Sequence, residues 1–88
     1  MVSQAITVQN KSGLHARPAS DFVRAASRYK SSVTVDYKGN QINAKSIIGI
    51  LAAGIIPGSE IVIEVNGPDE NEALSELIAL VKSNFGEN

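Results

Sequence analysis

The stretch Gly13-Leu14-His15-Ala16-Arg17-Pro18-Ala19 places a proline three residues after the only histidine of an 88-residue chain. Proline lacks an N–H and is tolerated in the first turn of a helix, so Pro18 predicts a helix start near Ala16 or Arg17. His15 then stands at the helix mouth. There the first backbone N–H groups have no partner inside the helix and the aligned peptide dipoles leave partial positive charge, which together make a site for an anion. Arg17 adds a planar fork of donors suited to phosphate, and Ser12 offers a hydroxyl from the other side. Gly13 can take backbone angles that bring the preceding loop close to a ligand. The pattern points to a phosphoryl group on the imidazole, held by main-chain amides and by Arg17. A histidine that only caps a helix requires neither an arginine at that offset nor a glycine before it.

Before this stretch, Val2, Ile6 and Val8 fall on one side of an alternating segment and Ser3 and Thr7 on the other, the sign of a half-buried strand. Asn10 to Gly13 is the loop that feeds the site. After it, Ala19, Phe22, Val23 and Ala26 recur at helical spacing as far as about Ser27. The other side of that helix carries Arg17, Arg24 and Arg28, a basic stripe leading away from His15. Arg28 is expected on an ordinary solvated face, and for Arg24 solvation and partner contact stay equally open.

Ser32 to Tyr37 alternates again, and Lys38-Gly39-Asn40 turns the chain into a short strand about Ile42. Asn43-Ala44-Lys45-Ser46 leads into an apolar helix from Ile47 to Ala53, with Gly54 as its stop. Pro57-Gly58 makes a turn before Glu60 to Asn66, where Ile61, Ile63 and Val65 face inward. Asp69 with Glu72 gives a capping-box-like start to a last helix, whose stripe Ala73, Leu74, Leu77, Ile78 and Val81 ends before Gly86. The order β-α-β-β-α-β-α over residues 1–88 predicts a single α+β domain, a four-stranded sheet with three helices on one face in two layers. Strand parity divides Tyr37, Val62 and Glu64 between core and open face without fixing the side that Tyr37 takes.

Length and composition exclude several functions. The chain supports one modest core and is too small for a large enclosed active site. A formal net charge of −1 leaves no footprint for nucleic acid. No apolar run has the length of a membrane span, and the first residues lack the charged and apolar regions of a signal peptide, so a cytoplasmic protein without a membrane partner is expected. With no cysteine there is no disulfide framework and no thiolate metal site. One histidine without a carboxylate cluster argues against catalytic zinc, and neither metal nor cofactor is expected.

The short middle helix carries Ile47, Ile48, Ile50 and Leu51 and has almost no polar side. Such a helix is either sunk in a core or partly exposed to a partner, and this core is too small to swallow it, so part of it is expected to dock. Ser46 precedes it, and serine is a preferred N-cap, a role that would justify the residue alone.

The Gly13 to Ala19 run, the run Asn43-Ala44-Lys45-Ser46-Ile47-Ile48-Gly49-Ile50 and the chain length closely resemble the HPr family. These are the histidine-containing phosphocarriers of the bacterial phosphoenolpyruvate-dependent sugar phosphotransferase system, and the likeness runs from Val2 to about Phe85. The resemblance implies an open-faced two-layer β-sandwich, an antiparallel sheet whose open side faces water. It also implies a stoichiometric relay rather than an enzyme. Enzyme I, phosphorylated by phosphoenolpyruvate, passes its phosphoryl group to His15, which passes it to the IIA unit of a sugar permease. Ser12, Ala16, Arg17 and Pro18 are then expected around the phosphoryl group. Ser20, Arg24, Ile47, Ile48 and Leu51 are expected to meet partners, with Ile48 and Leu51 standing where the family often carries methionines, which makes the patch stiffer.

Lys45-Ser46-Ile47 resembles the regulatory serine of family members from Gram-positive bacteria, phosphorylated by HPr kinase/phosphorylase, and Gly49 resembles the same pattern. A phosphate is electrostatically welcome at a helix N-terminus. An alternative follows, in which the chain is chiefly a regulator that binds catabolite control protein A once Ser46 is phosphorylated. Paralogues devoted to regulation resemble the family but lack the histidine, so His15 puts the relay first. A small ligand-binding module of the same topology would require a pocket, and nothing in the sequence predicts one. A monomer is expected.

Overall fold

The alternation in the strands decides which face is covered. The structure, a computed structural model, describes residues 1–87. It contains β1 (Val2–Thr7), α1 (Ala16–Ser27), β2 (Ser32–Tyr37), β3 (Asn40–Asn43), α2 (Ile47–Ala53), β4 (Glu60–Asn66) and α3 (Glu70–Lys82), followed by a 3-10 turn at Asn84–Gly86. The sheet order is β1-β4-β2-β3, every neighbouring pair antiparallel. The chain crosses from β1 to β2 through α1 and leaves a gap that β4 later fills, the split βαβ arrangement.

Within that sheet Val33 pairs with Val65 and Val35 with Ile63, while Ile6 and Val2 meet Ile61 and Val65 across β1. These inward rows pack beneath Ala19, Phe22, Ala25 and Ala26 of α1 and Ala73, Leu77, Ile78 and Val81 of α3, all buried. Thr34, Asp36, Val62 and Glu64 point to the opposite, uncovered face and stay half-exposed. Tyr37 takes the core side, and Ser59 Oγ donates to its hydroxyl at 3.4 Å. The expected architecture, an open-faced α+β sandwich with three helices on one face, is the one observed.

Two local expectations change, and one gains a partner. The capping box at Asp69 and Glu72 does not form: Asp69 makes no side-chain cap bond. Its carboxylate instead accepts from the Lys30 and Ser31 N–H groups, each at 2.9 Å, and from Ser31 Oγ. The turn from α1 to β2 needs acceptors for those amides, and a carboxylate is a stronger one than a hydroxyl. Glu70 accepts from the Gly67 N–H at 3.2 Å, an amide of the turn that precedes the N-cap. Arg28 is exposed, as expected, and pairs there with Glu76 of α3, which also accepts from the Tyr29 hydroxyl. The core also extends past Val81, because the 3-10 turn buries Phe85 with its ring edge-on to Phe22 at 6.4 Å.

Candidate functional site at the mouth of helix α1

Two core residues pin the loop that carries His15. Leu14 is buried, and its N–H donates to the Ile55 carbonyl at 3.0 Å, so the loop is stitched to the segment that follows α2. Gly13 has φ +64°, and a Cβ there would lie 2.5 Å from the Ile55 carbonyl oxygen, which is why glycine precedes the site. Asn10, itself buried, donates from Nδ2 to the Gly13 carbonyl at 2.8 Å and accepts at its own carbonyl from the Gly13 N–H.

Between the buried anchors Leu14 and Pro18, the residues His15, Ala16 and Arg17 are exposed. His15 has the extended backbone of an N-cap residue, but its side chain makes no cap hydrogen bond. The imidazole is therefore not engaged in closing the helix. Ala16 turns the chain into α1 through the left-handed region, with φ +46°. For an L-residue that conformation costs about 1–2 kcal/mol. The first turn of α1 holds no acidic side chain, so the positive end of the helix is left for another anion.

The expected phosphate-binding residues separate by what they can donate. Ser12, Ala16 and Arg17 are exposed, whereas Pro18 is buried and has no N–H, so its service to the site is to fix the helix start. An acceptor that sequence reasoning missed occupies Ser12. Glu87 accepts from Ser12 Oγ at 3.0 and 2.9 Å, from the Ser12 N–H at 3.3 Å and from Asn10 Nδ2 at 3.0 Å. Its pKa is lowered by the bonds from Asn10 and then Ser12, opposed by partial burial, with a further contribution from the charge of Arg17. No local pattern joins residues so far apart in the chain.

Beside the site lies the apolar surface. Ile50 points into the core, while Ile47, Ile48 and Leu51 are 38%, 78% and 40% exposed. Ile56 is 62% exposed, and its backbone lies against Gly13. Its signal in the sequence was the apolar pair Ile55-Ile56 just before Pro57-Gly58, a pair that splits into one core residue and one surface residue. Ser46 caps α2, its hydroxyl oxygen accepting from the Gly49 N–H at 3.1 Å. On α1, Ser20 is half-exposed and Arg24 forms an exposed pair with Asp21 at 3.6 Å. Among the described residues no group of acidic, histidine or cysteine side chains could hold a metal ion, and no helix is long and apolar enough to cross a membrane.

The open-faced sandwich presents an exposed histidine, free of a cap bond, at the mouth of its first helix. Residues 2–83 match the family described as the PTS HPr component phosphorylation site. The chain belongs to the HPr family of phosphocarriers of the phosphotransferase system. It is 44% identical over 89 residues to the phosphocarrier protein HPr of Cupriavidus necator, covering 99% of this chain and 98% of that one. It is 43% identical over 82 residues to the HPr-like protein Crh of Bacillus subtilis, covering 93% of this chain and 96% of that protein. The crystal structure of HPr-C-His from Thermoanaerobacter tengcongensis superposes with a TM-score of 0.98 at 42% identity, covering 100% of this chain and 99% of that one.

Proposed function

We propose that the chain relays a phosphoryl group from phosphorylated enzyme I to the IIA units of sugar permeases in the cytoplasm, through a phosphohistidine at His15. The observation that carries this reading is an exposed imidazole, free of any capping bond, at a helix mouth with no acidic side chain of its own. A neutral imidazole nitrogen attacks phosphorus, the new N–P bond forming as the bond to the donor breaks, and the second transfer reverses these events toward the acceptor. Ser12, Arg17 and the Ala16 and Arg17 amides orient the phosphoryl group. Contacts at an exposed helix N-terminus contribute only about 0.3–1 kcal/mol each, enough to orient the group without trapping it. The partner enzymes supply the rest of the transition-state stabilisation, docking on Ile47, Ile48 and Leu51 with Ser20 and Arg24 at the margin. The test is incubation with phosphoenolpyruvate and enzyme I, then intact mass before and after acid. One acid-labile phosphoryl group is expected, and its absence refutes the relay.

A second function is regulation at Ser46, supported by its position as the cap of the helix that carries the docking patch and by the similarity to the HPr-like protein Crh. Phosphorylation there, by HPr kinase/phosphorylase, places a strong charge beside Ile47 and Leu51, and burying it under enzyme I is costly unless a cation meets it. The same phosphoserine would mark the chain for catabolite control protein A. Ser46→Asp is expected to raise the concentration needed for half-maximal phosphorylation by enzyme I, with most of the defect surviving high salt. Recovery to the parent's behaviour in salt would replace lost docking by screened repulsion.

A further inference from the structure

The sheet ends at β1, and that edge is bare. We propose that β1 is a docking edge for an extended peptide, which adds antiparallel to it as a fifth strand and sets an apolar and an acidic side chain into the groove between β1 and α3. None of the residues assigned above to phosphoryl transfer takes part, so the site stands apart from the relay.

β1 pairs with β4 alone, through six consecutive residues without a bulge, so alternate residues of the strand turn their N–H and C=O groups away from the sheet. Proteins usually blunt such an edge with a charge, a proline, a bulge or a very short strand, and Val2-Ser3-Gln4-Ala5-Ile6-Thr7 has none of these. The other edge, β3, is only four residues long and packs against α2. Beside β1, two shallow cavities of about 380 and 320 Å³ share Lys82 and join into a groove along the strand, with α3 as its other wall. Gln4 pairs with Ile63 and so points to the helix side, where it interrupts the apolar row of Val2 and Ile6 and is exposed in the groove. An edge strand facing a helix across a groove can capture a peptide by strand addition, main-chain bonds giving affinity and alternate side chains giving selectivity. The lining decides which side chains fit. Leu74 and Ile78 make the apolar part of the wall, and Lys82 is the only charged residue of either cavity. Lys82 is exposed and has no ion pair among the described residues. An added strand that sets an apolar residue over Leu74 and Ile78 therefore meets Lys82 best with a carboxylate two positions away. β1 of a second copy carries no acid for Lys82 and is the poorer occupant.

The probe is a capped threonine heptapeptide with leucine at its third position and glutamate at its fifth, titrated into the isotope-labelled full chain while its amide resonances are followed. Saturable shifts are expected at the amides of β1 and around Leu74 and Lys82, and none at Ile47, Ile48 and Leu51. A peptide with lysine in place of the glutamate is expected to bind roughly two- to fivefold more weakly, the scale of one exposed ion pair. Lys82→Glu, its fold verified by a thermal melt, is expected to reverse that order. The glutamate peptide methylated at every backbone nitrogen has no main-chain donor left for β1 and is expected not to bind. Absence of β1 shifts at millimolar peptide overturns the proposal, as do equal affinities of the glutamate and lysine peptides for the parent or full binding of the methylated peptide. Sedimentation of the chain alone checks the other occupant. A dimer whose β1 amides shift on dilution would give the edge to a second copy and overturn the proposal as well.

Discussion

Helices α1 and α3 begin with different charge on the same side of one sheet. At the start of α3 every strong group is used: Glu70 accepts from the Gly67 N–H, Glu70 and Glu72 set negative charge in the first turn, and Asp69 binds the turn from α1 to β2. At the start of α1 the first turn has no acid, the N-cap side chain makes no bond, and the backbone enters through a left-handed alanine. The first start meets negative charge from its own first turn, although its N-cap side chain, like that of α1, makes no cap bond. The second is left open, at a cost in backbone strain, and its positive end is available to whatever anion arrives. The two starts differ in charge rather than in capping, since one helix mouth meets acidic side chains of its own first turn and the other meets none.

The largest expected effect breaks the open mouth. His15→Ala abolishes acid-labile phosphorylation by enzyme I while shifting stability by less than about 0.5 kcal/mol, because the side chain fills no core. Mass spectrometry and a thermal melt check both halves, and residual labile phosphate on the variant would move the acceptor elsewhere. Next, Arg17→Ala slows transfer by roughly tenfold, the scale of one charge-assisted hydrogen bond. Arg28→Ala, which removes the ion pair with Glu76 at the far end of the same helix, lowers the melting temperature slightly and leaves the rate near that of the parent. Equal rate losses in a single-turnover assay would reduce Arg17 to a source of general charge.

The start of α3 is tested by acid. The bonds from Ser31 and then Lys30 hold Asp69 down to about 2, from an ordinary 3.8, so the folded state binds its proton less readily than the unfolded chain. Its contribution is present in full above about pH 4 and disappears as the pH falls toward 2. Asp69→Asn is expected to lower the melting temperature at neutral pH and to lose less on acidification than the parent does. Glu70 and Glu87, both also held below their ordinary values, still titrate in the variant and leave it some acid sensitivity. Parallel melting curves for parent and variant between pH 7 and pH 2 would show that Asp69 does no more than an amide can.

The sequence made α1's start legible because its signals are local: Pro18 sets the helix, and the histidine, arginine and glycine stand within a few positions of it. Strand rows such as Ile61, Ile63 and Val65 were legible for the same reason, and all three are buried. What local reading misplaced involves partners distant in the chain. Asp69 looked like half of a capping box until Ser31, from another turn, supplied better donors. Tyr37 lies on the same side of β2 as Val33 and Val35, and it is the packing over the end of that strand that buries it. Phe85 followed the last periodic apolar residue, yet the 3-10 turn carries it back onto Phe22. Ile56 and Glu87 reached the site through the Leu14 to Ile55 bond and the Ser12 contacts, neither of which a periodic pattern records.

The smallest effect sharpens the contrast in backbone strain. Ala16 in the left-handed region costs about 1–2 kcal/mol, and glycine there would release most of it. Glycine also has more freedom to lose on folding, roughly 0.5–1 kcal/mol relative to alanine. The difference leaves Ala16→Gly more stable by up to about 1 kcal/mol, a rise in melting temperature of roughly 4–8 °C per kcal/mol for a domain of this size. Glycine at Glu70, in the first turn of α3, has the opposite sign, since no left-handed residue is relieved there and the bond to Gly67 is lost. If the relay proposed above holds, Ala16→Gly is also expected to slow transfer from enzyme I by loosening the first amides of α1, though less than Arg17→Ala does. Calorimetry on the two glycine variants reads the signs directly. A fall in melting temperature for Ala16→Gly would mean that the left-handed turn is not held against its preference, and the open mouth would then carry no strain to release.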